Sequence, residues 1–297
     1  MNKKNILVIG GSGFLGSHVC DILSNNNWNV TIIDRNKSKW LKPTQKFFKG
    51  DILNSELFYN LIKKNNYVFN FAAISDIADA NKNPENTVKV NILGLVKLLS
   101  LCAKAKIERF IQASTIYVSG EHGGFYKSSK LASESYVKEF FKLKKLKYSI
   151  LRFGTLYGPR SDENNGLHSM IKNSLKHKKI IYSGDPYSIR DYIHVLDGAK
   201  ICEKVILDKK NFENKTVIIS GPESIQIKNV LRMISEISGI KKIVYIKKNE
   251  LKKHTHYITT PYSISNNFVM KHSSLHNIDF GQGLKNLILE IKDKYKY

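Results

Sequence analysis

The stretch Asn5–Arg35, NILVIGGSGFLGSHVCDILSNNNWNVTIIDR, leaves the chain few ways to fold. An apolar run, Ile6-Leu7-Val8-Ile9, ends in glycines at 10, 11, 13 and 16. A helical pattern follows, and a second apolar run, Val30-Thr31-Ile32-Ile33, ends in Asp34. This spacing predicts a strand, a tight turn, a helix and a second strand. Gly10 permits the sharp turn, Gly13 lets the backbone approach a ligand closely, and Gly16 lets the helix pack against the strand. The helix begins with Phe14 and Leu15, and its amino end offers free N–H groups and the positive end of a dipole to a pyrophosphate. Asp34, 18 residues beyond Gly16, stands where an acid accepts hydrogen bonds from a ribose. Together these features predict a dinucleotide site.

The same acid selects the dinucleotide. A carboxylate there bonds the two ribose hydroxyls of NAD and repels the extra phosphate of NADP, so NAD is the expected cofactor. Arg35 beside it is the residue type that accommodates that phosphate, and it belongs to the same site.

A chain of 297 residues exceeds the size at which single cores stop growing, which favours two lobes. Alternating strands and helices imply a doubly wound parallel sheet. The expected division is 1–153 plus about 187–220 for the dinucleotide-binding lobe. About 154–186 plus 221–297 then form a smaller mixed α/β lobe over the carboxyl edge of the sheet, with the substrate cleft between the two. No apolar run approaches the length of a membrane helix, and the start Met1-Asn2-Lys3-Lys4 carries no signal-peptide pattern, so a cytoplasmic protein without membrane insertion is expected. Cys20, Cys102 and Cys202 each sit in an apolar helical pattern and read as reduced core residues. The net charge of +23 raises nucleic acid as a partner. The lysines are spread over nearly every helix, however, and no nucleic-acid partner is expected. His254, His256, His272 and His276 match no common zinc spacing, so no metal is expected either.

Further along, Gly50-Asp51-Ile52 follows a short strand near 46–49, placing Asp51 and Ile52 at a strand's carboxyl end, where ligands of open sheets bind. The strand Tyr67 to Phe71 ends in Ala72-Ala73, small enough for a cofactor to lie close. Pro84 opens a helix running to about Lys106, with Asn91 inside it. The chemistry begins at Arg109–Ala113, a strand followed by Ser114 and Thr115. Tyr126 and Lys130 then share one helix face. An ammonium beside a phenol favours the phenolate and is expected to lower the Tyr126 pKa toward neutrality. Such a pair removes a proton from a hydroxyl while a hydride leaves the same carbon, with Ser114 or Thr115 donating a hydrogen bond to the reacting oxygen.

These segments, with GGSGFLGSH at 10–18, NFAA at 70–73, ASTIY at 113–117, YKSSK at 126–130, LRFGTLYGPR at 151–160 and RDYIHVLDGA at 190–199, resemble the extended short-chain dehydrogenase/reductases. Within them the resemblance is to the NAD-dependent epimerase/dehydratase family that modifies nucleotide sugars. It implies a Rossmann-type doubly wound parallel sheet with Tyr126 as base, Lys130 on the nicotinamide ribose and Thr115 on the sugar hydroxyl. It implies Arg190 as a contact of the substrate phosphate, a homodimer paired through the helices at 84–106 and 126–144, and a nucleotide-diphosphate sugar as substrate. Ser75, Thr155, Arg160 and His168 are further candidates on the substrate side.

Departures from the family pattern narrow the chemistry. Its 4,6-dehydratases carry Asp-Glu directly after the catalytic Thr, whereas Ile116-Tyr117 follow Thr115 here. Its 3,5-epimerase/reductases place a Cys where Thr115 stands, although His168 lies near their histidine. What remains is chemistry at C4, as a 4-epimerase or 4-dehydrogenase, with a surface-polysaccharide sugar as the expected product class. A 4-ketosugar reductase, a 3,5-epimerase/reductase and a non-catalytic NAD-binding regulatory protein are the alternatives.

Overall fold

The structure, a computed structural model, describes residues 4–246, 270–272 and 278–297. Its strands are β1 (Asn5–Ile9), β2 (Asn29–Asp34), β3 (Lys46–Lys49), β4 (Tyr67–Asn70), β5 (Arg109–Thr115), β6 (Tyr148–Phe153), β7 (Thr155–Tyr157), β8 (Ile180–Tyr182), β9 (Ile189–His194), β10 (Lys215–Ile219), β11 (Ser224–Gln226), β12 (Ile243–Tyr245) and β13 (Met270–His272). Eight of them form one sheet in the order β13-β10-β6-β5-β4-β1-β2-β3, every neighbouring pair parallel. The chain winds outward from β1 in one direction through β2 and β3. It then crosses to β4 and winds the other way, so the order reverses between β1 and β4. At such a reversal the connections leave in opposite directions and open a crevice beyond the strands' carboxyl ends.

Both faces of the sheet are covered, which is why its strands read as continuous apolar runs rather than alternating ones. On one face the Phe14–Asn25 and Val195–Leu207 helices bury Val19, Cys20 and Leu23 with Ile201, Cys202 and Val205. On the other, the Leu95–Ala105 and Gly124–Lys144 helices bury Leu98, Leu99, Cys102 and Val137. All three cysteines are free and buried. Each wholly buried Ile, Leu or Val contributes roughly 1.5–3 kcal/mol. This arrangement is the expected Rossmann-type sheet.

The smaller lobe has its own core, where Leu167, Ile171 and Leu175 pack with Val230, Leu231, Leu284 and Leu287. Its sheets are small: β11-β9-β7 and β12-β8. Two segments depart from the expected boundaries. Residues 189–194, placed with the first lobe on the sequence, form β9, the middle strand of the three-stranded sheet. Met270–His272, placed with the second lobe, instead extends the main sheet beside β10. The long helix expected from Pro84 is also interrupted: Lys89–Gly94 is a π-helical turn between Pro84–Val88 and Leu95–Ala105.

Among the described residues no helix is long and apolar enough to cross a membrane, and no group of three His, Cys, Asp or Glu could hold a metal ion. His254, His256 and His276 lie outside the described residues.

Candidate active site

A cavity of about 440 Å³ opens at the carboxyl ends of β1, β2, β4, β5 and β6, where the strand order reverses. Gly10, Gly13, Phe14, Leu15 and Gly16 form one wall, Asp34, Arg35, Asp51 and Ile52 one end, and Phe71, Ala72, Ala73 and Ser75 the floor beyond. The glycines have separate causes. Gly10 has φ +79° and stands against Ala72, whose backbone nitrogen would be 2.5 Å from an added Cβ. A Cβ on Gly16 would lie 2.3 Å from the Gly10 carbonyl oxygen, so the helix can approach the turn only without one. Gly13 differs, because a Cβ there would meet nothing nearer than the Gly10 oxygen at 3.4 Å. The fold itself has room at Gly13, so packing alone does not demand a glycine there.

The Phe14–Asn25 helix starts at Gly13 with no side chain capping its amino end, which leaves its N–H groups available at the cavity wall. At the end of β2, the Asp34 carboxylate accepts from the Ser12 N–H at 3.0 Å and is held beside the glycine turn. Asp51 accepts from the Leu53 N–H at 2.9 Å and caps the helical turn Ile52–Phe58. An uncapped helix amino end, a glycine with spare room and an acid at the far rim together suit a dinucleotide's pyrophosphate and ribose.

The reactive groups line the same cavity. Tyr126 and Lys130 project from the first turns of the Gly124–Lys144 helix, and the Lys130 Nζ donates to the Ala113 carbonyl at 3.1 Å. The Tyr126 hydroxyl lies by the Thr115 side chain at the end of β5. Burial pushes the Tyr126 phenol up to about 12, while Thr115 pulls the other way. Burial also lowers the Lys130 ammonium to about 8, opposed by the negative charge of Glu134. The expectation that Lys130 brings Tyr126 toward neutrality is thus not met in the protein alone. Lys130 lies over the ring, 5.9 Å from its centroid, with a hydrogen bond to a backbone carbonyl, so burial of the phenol dominates.

Residues 6–220 match the model of the NAD dependent epimerase/dehydratase family. The chain is also 31% identical to the uncharacterized UDP-glucose epimerase YtcB of Bacillus subtilis, over 80% of this chain and 83% of that one. The chain belongs to the NAD dependent epimerase/dehydratase family.

The fold agrees. A Bacillus cereus UDP-glucuronic acid 4-epimerase solved with UDP-glucuronic acid and NAD superimposes with a TM-score of 0.84 at 26% identity, covering 98% of this chain and all of that one. A dTDP-D-glucose 4,6-dehydratase of Dictyostelium discoideum is 29% identical over 66% of this chain and 55% of its own length. As a member of this family the chain is an enzyme of the extended short-chain dehydrogenase/reductase type, and its cofactor is NAD. When bound, NAD accepts or returns the hydride.

Within this epimerase/dehydratase site some candidates are placed elsewhere. Ser114 does not face the cavity. Successive strand residues leave opposite faces, and the Ser114 hydroxyl instead donates to buried Glu134 at 2.6 Å. Asn91 is buried in the π turn, where its side chain accepts from the Ile74 N–H at 2.8 Å and donates to the Ile74 carbonyl and to Ser129. It braces the floor strand against the Tyr126 helix without lining the cavity. Arg160 points away from the crevice, donating to Asp21 at 2.6 Å with its guanidinium 5.0 Å from the Trp40 ring centroid. His168 is buried in the core of the smaller lobe, its Nδ1 3.0 Å from Ser161 Oγ. Thr155 is half-buried on β7, next to Tyr192 of β9. Arg190 is buried on β9 and donates to the Ile189 carbonyl at 2.8 Å.

The sequence reading missed Leu53, Asn86, Val90, Ala113, Phe153 and Leu156 as lining residues. Ala113 and Phe153 carried a usable signal, since both stand at or near the carboxyl ends of strands flanking the crevice. Asn86 and Val90 carried none, because the π turn that orients this segment has no sequence mark.

Proposed function

We propose that the enzyme oxidises C4 of a UDP-linked sugar and returns the hydride to the other face, as a 4-epimerase. The reading rests on one observation: Tyr126, beside Thr115, and Lys130 open onto the same cavity as the uncapped glycine turn. The Tyr126 phenolate takes the proton of the C4 hydroxyl. Thr115 holds the reacting oxygen in line, and Lys130 keeps a positive charge beside the phenolate. A ketone that rotates before the hydride returns gives the epimer, and release of the ketone gives a 4-dehydrogenase with the same residues. The UDP group is suggested by the named activities of the Bacillus subtilis and Bacillus cereus relatives.

Dehydration is disfavoured despite the dehydratase relative. That chemistry needs an acid and a base beyond Tyr126, and the residues after Thr115 are Ile116, Tyr117 and Val118. The carboxylates among the described cavity residues, Asp34 and Asp51, are at the opposite end. Ser75, Thr155 and Arg190 are the candidates for the sugar-nucleotide side. Val88, Leu93, Leu131 and Tyr136 are exposed on the two helical segments that flank the crevice, which supports pairing of two copies there. A cytoplasmic role in making surface-polysaccharide sugars completes the reading.

The test is incubation with UDP-glucose, UDP-galactose and UDP-glucuronic acid, followed by chromatography, mass spectrometry and NADH absorbance. A new retention time at unchanged mass is the expected result. Loss of two hydrogens with NADH accumulation means a dehydrogenase, and loss of water would refute the reading.

A further inference from the structure

Behind the reactive pair, on the face of β5 away from the cavity, lies a buried ionic cluster that the reaction as described does not use. Glu134 is 1% exposed, four residues beyond Lys130 on the same helix. Its Oε1 accepts from Ser114 Oγ at 2.6 Å and from Arg152 Nε at 2.9 Å, and its Oε2 accepts from Arg152 Nη2 at 2.7 Å. Arg152 of β6 then donates through Nη1 to Ser119 Oγ at 3.1 Å, in the turn that follows Thr115. One carboxylate thus ties together the Tyr126–Lys130 helix, the end of β5 next to Thr115, strand β6 and the turn beyond.

We propose that Glu134 is a positioning residue of the active site: its clamped carboxylate fixes the helix bearing Tyr126 and Lys130 against Thr115 and supplies the negative charge that faces Lys130. This rests on the reading of Tyr126 as the base. A buried bidentate pair is a costly way to hold two elements together, because apolar residues of equal volume stabilise as well or better. What the pair provides that leucines would not is direction and charge. The bidentate fork admits one orientation of helix against strand, and the ammonium of Lys130, itself buried, gains a counter-charge one helical turn away.

The charged and titratable groups around Glu134 are few. On its own helix they are Lys130 and Lys138, the latter 4.0 Å from Oε2; on β6 they are Arg152 and Tyr148. From β5 and the following turn it meets Ser114 directly and Ser119 through Arg152. Burial lowers the Lys130 ammonium to about 8, and Glu134 is the group that opposes this. Lys130 should therefore titrate apart from exposed lysines, whose ordinary value is roughly 10.4.

The experiment is an NMR titration of isotope-labelled lysine in the NAD-bound enzyme, with the Lys130 signal assigned by its loss in Lys130→Arg. In Glu134→Gln the Lys130 midpoint should fall by about one pH unit, while Glu134→Asp, which keeps the charge, should leave it near the wild-type value. A merely structural role would give both variants the same midpoint. Should Glu134→Gln fail to fold, Arg152→Gln, which leaves the Glu134 charge facing Lys130 without its partner, should raise the Lys130 midpoint instead. A midpoint unmoved in Glu134→Gln, or in Arg152→Gln where that alone folds, overturns the inference. Tyr126→Phe with undiminished turnover would instead overturn the base assignment and leave the titration result standing, so the two failures are distinguishable.

Discussion

Lys130 Nζ stands 5.9 Å from the centroid of the Tyr126 ring, and burial moves the two groups in opposite directions, the phenol up to about 12 and the ammonium down to about 8. Both shifts favour the uncharged forms, so the pair in the free protein is not yet a working base. Oxidised NAD carries a positive charge on its nicotinamide ring. Brought into this cavity, that charge favours the phenolate. Tyr126 should accordingly titrate at lower pH in the NAD-bound enzyme than in the free protein, and turnover should rise with pH on the acid side as the phenolate forms. Ultraviolet titration of tyrosinate, with Tyr126→Phe as the blank, measures this; equal midpoints with and without NAD would sink the idea. Tyr126→Phe itself should lower turnover by about a hundred- to ten-thousand-fold while NAD affinity holds.

The glycine turn gives a second contrast. Gly16→Ala sets a Cβ 2.3 Å from a backbone oxygen that cannot move without opening the turn, and should cost about 2–4 kcal/mol of stability. Gly13→Ala meets only an ordinary contact at 3.4 Å, and the backbone there, at φ −75°, suits any residue. It should change stability by less than about 1 kcal/mol and yet weaken NAD binding, because the new methyl occupies space the pyrophosphate needs. Thermal melts without NAD, paired with calorimetry of NAD binding, separate the two effects. A Gly13→Ala protein that binds NAD like wild type would remove the phosphate assignment.

These contrasts mark where sequence was informative. The turn, the helix behind it and Asp34 were legible because they lie within one continuous stretch, and local rules of backbone conformation dictate each residue. Tyr126 and Lys130 were legible as a pair for the same reason, since spacing on one helix places them together. Their acidities were not, because burial is contributed by elements far away in the chain. Ser114 shows the limit most plainly: whether it faces the substrate or Glu134 depends on strand alternation and on an arginine 38 residues further on. Asn91, Arg160 and His168 are alike in this, each a plausible polar ligand in sequence whose partners in the fold, Ile74, Asp21 and Ser161, are set by tertiary packing.

Arg160 turns that failure into a prediction. Its guanidinium bonds Asp21 of the first helix, packs on Trp40, and its backbone N–H reaches Glu290 at 3.3 Å, so it fastens the smaller lobe to the larger. Its φ of +65° is strained for a residue with a Cβ. Arg160→Ala keeps the strain and loses the contacts, which should lower stability by about 1–2 kcal/mol. Arg160→Gly loses the same contacts but relieves the backbone, and should be the milder of the two. Neither should raise the KM for the sugar nucleotide, and a KM that climbs in both would return Arg160 to the substrate site.

Three buried histidines should make the fold less stable in acid. His18 lies 2.9 Å from the Pro159 carbonyl, His168 contacts Ser161, and His194 caps the Val195–Leu207 helix edge-on to Tyr157. Burial lowers all three, His194 to about 4. A histidine held neutral in the folded state contributes stability that is fully present above its unfolded value near 6.5, and that is lost as pH falls toward the folded value. For His194 the loss between about pH 7 and pH 5 is roughly 2 kcal/mol. His194→Asn keeps a side chain able to cap the helix and removes the titration. Urea unfolding at the two pH values should therefore show a smaller acid loss in His194→Asn than in wild type. If the variant loses as much as wild type, the acid sensitivity lies elsewhere, and His18 and His168 become the groups to replace.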